Sequence, residues 1–488
     1  MFILRWILGF VVAISFVASP ELVAEDRHPP VNRIDVSNQG AQAEAGMARR
    51  LSLDDIVAPY GCAMAHCDPG MRDLSIVYGP YAPSVTALWH DGSVVGSFYG
   101  LGCSSNTTTA VCSLTKESDP SKPSLVAYDA LGSVLWSSSL LNGMAFTSAP
   151  MVANSGHAIA ADDSRLVHFD DLGGIVWEAE VPDGVPVSPN VTEDRIIFVA
   201  TAFGPLLAYD FDTGSLLAEL TLEETLLLDG NPVPGQFHTT NTAAIRGNRA
   251  YITTQFYRSD TEEELPYGRL YAVDISRDGP VSAEMTVAWF FEFRGLSGAS
   301  PLVYDKGQHP VIYFDGTGLL PLGEYDPHFF AVEDLGSQSN LLWQYQMSGN
   351  AVASAAQDPR GGIWIYTQRT RYLVRLSQMS GEPVQWIDVD ALVREVGTHT
   401  PSSAITVTGS NPLKPLMLLS VTAYDIPSSY VVAINPTNGR LVWKYLIDTS
   451  ADLTGVPHGQ FPILLDPVGN PITVFSTRKN GVWALGMP

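Results

Sequence analysis

The residues of this 488-residue chain best suited to chemistry are four cysteines and a scatter of histidines and acids. Cys62 and Cys67 bracket Ala-Met-Ala-His66, and Cys103 and Cys112 bracket a Ser/Thr-rich loop. An even cysteine count in an exported chain favours disulfides. Local pairing is expected, Cys62 with Cys67 and Cys103 with Cys112. Cys62, His66 and Cys67 could instead ligate a metal, but their spacing fits no standard zinc pattern and no second ligand pair matches them, so no metal is expected. His238 and His328 are acid/base or ligand candidates near neutral pH. Residues 210–214, DFDTG, resemble the start of a calcium loop, although an Asp there also caps an ordinary turn. Asn106-Thr107-Thr108 and Asn190-Val191-Thr192 match the N-glycosylation pattern, which matters only in a eukaryotic secretory pathway. No nucleophile elbow, phosphate-binding loop or dinucleotide fingerprint is evident.

A second set of residues suits binding rather than catalysis. Tyr257, Asp260, Glu262, Glu263, Glu264, Tyr267, Tyr325, Asp326, His328, Tyr424 and Asp425 fall in segments without a clear strand pattern. Aromatic anchors among acids suit a basic or mixed protein segment. The run Glu262 to Glu264 also reads as a solvated charge cluster. The formal net charge of −24 argues against nucleic-acid binding, because nothing tracks phosphates.

These residues must be carried by strands. Residues 431–445, VVAINPTNGRLVWKY, read as strand, tight turn and strand. Pro436 sets φ near the turn and Gly439 supplies a left-handed position. A lone hairpin cannot bury its apolar face, and related copies recur: VAYDALGSVLW at 126–136, VHFDDLGGIVW at 167–177, and LAYDFDTGSLLA at 207–218 with Ala218 in the tryptophan's place. Looser copies end at Trp289, Trp343 and Trp386, and residues 482–486 open a last one. Trp136, Trp177 and Ala218 are spaced about forty residues apart, the range of propeller blades.

The motif Ala-x-Asp-x-x-(x)-Gly-x-x-x-Trp resembles the repeat of the pyrroloquinoline-quinone (PQQ)-type β-propellers, from about residue 81 onward. That superfamily includes quinoprotein alcohol dehydrogenases and the non-catalytic outer-membrane assembly propeller BamB. The resemblance implies an all-β single propeller and a structural tryptophan packing between blades: Trp136, Trp177, Trp289, Trp343, Trp386 and Trp443. About eight four-stranded blades are expected, seven as second choice, with an N-terminal strand at 74–78 (LSIVY) closing the last blade so that no sheet edge is left open. In the dehydrogenases PQQ lies over the axis beside a calcium ion held by acidic and amide side chains, with an Asp as base. Asn241 and Asp315 are the candidates here, but they do not map onto that pattern. The adjacent cysteine pair found beside the quinone in many of those enzymes is missing.

Residues 1–24 read as a secretory signal, with Arg5, an apolar run over 6–18, and Leu22-Val23-Ala24 before the cut. No cysteine follows the run, so no lipid anchor is expected. A linker and cysteine segment then fills 25–70, and the propeller spans 71–488. Numbering strands from the axis outward, second-to-third connections and blade crossings share one face. Long insertions there, at 101–123, 221–238, 256–268, 317–328 and 422–429, mark a working face. The expectation is an exported, periplasmic or secreted bacterial propeller without a cofactor or membrane span after signal cleavage. It would be monomeric and bind a protein partner through Tyr257, Glu263, Tyr267, Tyr325, Asp326, His328, Tyr424 and Asp425. The alternatives are a PQQ- and calcium-dependent dehydrogenase and a carbohydrate-binding propeller.

Overall fold

Strands alternating buried and exposed residues, punctuated by Asp-x-x-Gly turns, fold into eight sheets set around one axis. The structure is a computed structural model. It describes residues 57–488 except 59, 97–101, 117–118, 120, 142–147, 163, 298, 306–307, 317–326, 350–353, 368–369 and 410–413. The expected signal peptide and the linker up to residue 56 lie outside the described residues. Among the described residues no helix is long and apolar enough to cross a membrane.

The first blade comprises Cys103–Ser105, Thr109–Ser113, Leu125–Asp129 and Val134–Ser138, and each following blade repeats this antiparallel order outward. The cysteine-bearing stretch is therefore the inner hairpin of a blade and not an insertion. Its short turn is set by a side chain. Asn106 Oδ1 accepts the Thr108 and Thr109 amides at 2.8 and 2.7 Å. Cys103 stands opposite Cys112 and is bonded to it, and Cys62 is bonded to Cys67, as expected.

An N-terminal strand closes the ring, but it is Thr86–Asp91, paired with Val482–Gly486. Leu74–Ser75 instead runs parallel to Thr406–Thr408 at the inner edge of the seventh blade. Thr86–Asp91 supplies Trp89, which stands opposite Ala484 as the tryptophan of the eighth blade. The repeat pattern hid it because its Ala-x-x partner lies at the other end of the chain.

The seams explain the repeat. Four of the tryptophans pair across their blades with alanine, Trp136 with Ala127, Trp289 with Ala272, Trp343 with Ala331 and Trp443 with Ala433, whereas Trp177 pairs with His168. The tryptophan ring then lies on the turn of the next blade. A Cβ built on Gly132, Gly173, Gly214 or Gly381 would stand 2.5–2.8 Å from the indole of Trp89, Trp136, Trp177 or Trp343. Several indoles also donate to the neighbouring blade: Trp177 to Phe211 O at 3.0 Å, Trp343 to Gln378 O at 2.9 Å, and Trp289 to Asp334 Oδ1 at 2.9 Å. Gly214 combines this contact with φ of +71°. Gly214→Ala is expected to cost about 1–3 kcal/mol, from left-handed strain plus crowding, read as a shift in the urea midpoint.

Trp386 departs from its expected role. Val374 faces it, whereas the position facing Arg375, which the repeat gives to tryptophan, holds Gln385. A one-residue offset turns a strand side chain to the other face, so Trp386 points outward and is 37% exposed. With its amide oriented to satisfy both ends, Gln385 donates to Pro436 O and accepts from Gly439 N–H, both at 3.2 Å. It reproduces the hydrogen bond of an indole without its volume. A cleft lined by Asp358, Arg375, Gln385 and Pro436 remains at that seam.

Candidate functional site

Of the expected insertions, those around the fourth blade are the most built. Its second, third and fourth strands, Arg249–Arg258, Glu263–Arg277 and Ala283–Arg294, contain 10, 15 and 12 residues, against 5 for Thr109–Ser113 in the first blade. The crossing from the third blade folds as a hairpin, Thr225–Leu228 with Asn231–His238, and its second strand joins the same sheet through Gly235↔Arg258 to His238↔Gln255. Both expected loops, 221–238 and 256–268, are thus ordered ribbon. By contrast 422–429 is a tight connection, since Leu416–Ala423 and Ser428–Asn435 pair out to Ala423↔Ser428.

Arg269 fixes the ribbon. Its guanidinium lies 4.2 Å from the ring centres of both Phe237 and Phe290, pairs with Glu292 at 2.7 Å, and also pairs with Glu223. Stacking and planar ion pairing suit arginine rather than lysine. Beside it, His238 is stacked 4.0 Å from Phe203, with Tyr257 edge-on to that phenyl ring at 5.6 Å. Glu264 accepts from Gln255 Nε2 at 2.8 Å and lies 3.7 Å from His238 Nε2. Burial pushes the Glu264 carboxyl up to about 7 and the His238 imidazole down to about 3. Both groups are therefore neutral near pH 6.

Tyr257, Glu263 and Tyr267 are brought together on this ribbon, and Arg294 lies 5.3 Å from the Tyr267 ring centre. His328 begins the third strand of the fifth blade, with its ring 5.9 Å from that of Phe330. Tyr325 and Asp326 lie outside the described residues. Tyr424 and Asp425 stand on the seventh blade, three positions around the ring, so they do not join the fourth-blade patch. Asp425 accepts the Thr398 amide at 2.9 and 3.0 Å, a bond that braces a neighbouring turn. Sequence reasoning placed Glu264 in a solvated acidic run, and its partial burial follows from the ribbon.

The axis is filled by the chain itself. Residues 57–75 bond to the inner strands of all eight blades: Ser105, Val152, Asn190, Ile245, Val303, Gln357, Val407 and Gln460 each donate to a carbonyl of this segment. Cys62, Ala63, Met64, Ala65, Met71 and Asp73 are wholly buried. At its centre His66 Nδ1 lies 2.7 Å from Asp73 Oδ2 and its Nε2 lies 3.3 Å from Ser354 Oγ. With the cysteines joined to each other, His66 has a carboxylate partner and not a metal-ligand set. The two sequon asparagines are also committed here: Asn190 Nδ2 donates to Pro69 O and Ala243 O at 2.9 and 2.8 Å, and Asn106 Nδ2 donates to Ala153 O at 3.2 Å.

The calcium and quinone site implied by the repeat needs acidic and amide groups converging over this axis. Asn241 and Asp315 are linked through Ser297: Asn241 Nδ2 donates to Ser297 O at 3.0 Å, and Ser297 Oγ donates to Asp315 Oδ1 at 2.8 Å. Asp73 is held by His66, and the Gln460 amide donates to Met64 O. Among the described residues no three His, Cys, Asp or Glu side chains are grouped to hold a metal ion. The residues described do not fit that cofactor pair.

The comparisons with known proteins match this architecture. A family model described as outer membrane protein assembly factor BamB matches residues 121–291, which run from the first blade into the fourth. No curated protein matches the chain. A europium-containing methanol dehydrogenase superposes with TM-score 0.59 at 12% identity, covering 88% of this chain and 98% of that one. The quinohemoprotein alcohol dehydrogenase of Comamonas testosteroni superposes with TM-score 0.60 at 11% identity, covering 92% and 85%. BamB from Moraxella catarrhalis, at 12% identity and TM-score 0.48, covers 82% and 99%. The chain is an eight-bladed β-propeller whose residues 121–291 match the BamB family model and whose fold is similar to that of the quinoprotein dehydrogenases. Shared fold does not carry function with it.

Proposed function

We propose that this propeller is an exported, non-catalytic scaffold that holds a protein partner on the ribbon of its fourth blade. The observation that carries the reading is that ribbon. It is an ordered extension that closes no part of the ring, braced by Arg269 between two phenyl rings and rich in surface acids and tyrosines. Tyr257 and Tyr267 serve as anchors, and Glu263 with its acidic neighbours selects a basic or mixed segment. The disulfides support an oxidising compartment, in keeping with periplasmic or secreted placement. The ring itself remains a monomer.

Shortening the hairpin tip at residues 259–262 should abolish capture of the partner from an extract of the source organism while leaving the urea midpoint unchanged. Retained capture would remove the ribbon from the interface. The proposal includes no cofactor, so adding PQQ with calcium to the purified protein should leave its melting temperature unchanged and produce no dye-linked alcohol oxidation. A rise in melting temperature with turnover would restore the dehydrogenase reading, because a ligand of the folded state raises stability by mass action.

A further inference from the structure

The axial segment combines complete burial with local backbone strain. Four of its non-glycine residues, His66, Cys67, Met71 and Asp73, have φ of +55°, +72°, +57° and +51°. Such positions persist only where surrounding structure holds them, and they cluster in switch elements. Besides the bonds that all eight blades make to the segment, one buried polar chain runs from Asp73 to His66 to Ser354, at 2.7 and 3.3 Å. Asp73 Oδ1 is buried without a hydrogen-bond partner in this structure. Ser354 is fixed in turn, because its Oγ accepts the Ser300 amide at 2.9 Å.

We propose that residues 57–75 form a releasable axial stopper whose catch is the Asp73–His66–Ser354 chain, and that loss of a proton from this chain loosens it. On the same segment Asp68, which acts electrostatically on Asp73, pairs with Arg72 at 2.7 Å. The sixth blade presents the Ser354 hydroxyl, and the seventh presents the Val407 amide to Asp73 O at 2.8 Å. While its proton is in place, the Asp73 carboxyl brings no charge into the axis. Once that proton leaves, a carboxylate stands in the axis with one oxygen unpartnered and Asp68 nearby. Burial, opposed by His66 and reinforced by Asp68, holds the Asp73 carboxyl above the usual carboxylate range. A group with that shift stabilises the seated stopper at low pH, and its contribution fades as pH rises through the raised value.

The stopper's own disulfide reports its release, with Cys103–Cys112 as control inside the same molecule. Reduction of the full mature protein by a phosphine should favour Cys62–Cys67 increasingly as pH rises above 3.8, with the ratio of the two rates growing about tenfold once the raised value has been passed. A constant ratio would overturn the proposal. Asp73→Asn keeps an acceptor for His66 but cannot ionise. It should flatten that pH dependence, and amide exchange over residues 57–75 should lose its pH-dependent excess over the blades. An unchanged pH dependence in this variant would remove Asp73 from the catch. If the variant does not fold, the wild-type rate ratio still decides.

Discussion

Trp443→Ala lowers the stability of the ring by about 3–5 kcal/mol, while Trp386→Ala changes it by less than about 1 kcal/mol. Trp443 is 2% exposed, stands opposite Ala433, and donates its indole N–H to Pro80 O at 2.6 Å. It joins the seventh blade to the segment that leads into the closing strand. Truncation therefore opens a cavity and orphans a buried carbonyl at the point where the ring is sealed. Trp386 is 37% exposed, its ring edge-on to Tyr372 at 6.0 Å, so truncation opens no cavity. Urea unfolding of both variants measures the difference. Equal losses would place Trp386 in the seam and contradict the offset that puts Gln385 there.

Glu264→Gln raises stability by about 3 kcal/mol at pH 8 and leaves it unchanged near pH 4. A carboxyl whose ordinary value of 4.5 is pushed to about 7 on folding costs about 3 kcal/mol once ionised. That raised value means the carboxyl stabilises the fold fully below pH 4.5, an effect lost as pH rises towards 7. His238 acts in the opposite sense. Its imidazole is pushed from 6.5 down to about 3, so its contribution is full above 6.5 and is lost on acidification. Between pH 4.5 and 6.5 the two slopes cancel in the wild type. The amide introduced by Glu264→Gln keeps an acceptor for Gln255 and removes one slope, so the variant should gain stability steadily across that window and then level off. Chemical denaturation at several pH values checks this, and parallel curves for the two proteins would show that Glu264 titrates normally. Because Glu264 stands beside Tyr257, the substitution also tests whether a partner requires the charge at this junction.

Much of the ring was legible before any coordinates. The spacing of Trp136, Trp177 and Ala218, with glycine at each turn, identified blades because the turn of one blade must lie against the indole of its neighbour, where only a residue without Cβ fits. Local cysteine spacing likewise identified both disulfides. Other features were hidden because their partners lie far apart in sequence. Thr86–Asp91 becomes the outer strand of the last blade only when it meets Val482–Gly486. Trp386 and Gln385 differ by one position, and strand register, which the motif does not encode, decides which faces the seam. The acids of 262–264 look alike in a string, yet pairing with the second strand and the approach of His238 half-bury Glu264 and leave Glu263 exposed.

The chain's pattern of turns, small residues and tryptophans thus determined a β-propeller, since those constraints are local and recur from blade to blade. Only the tertiary structure decided what fills its axis and which insertion stands as a built surface. His66, Asp73 and Ser354 are brought together across 288 positions of sequence, and their burial and charge exist only once eight blades have closed around them.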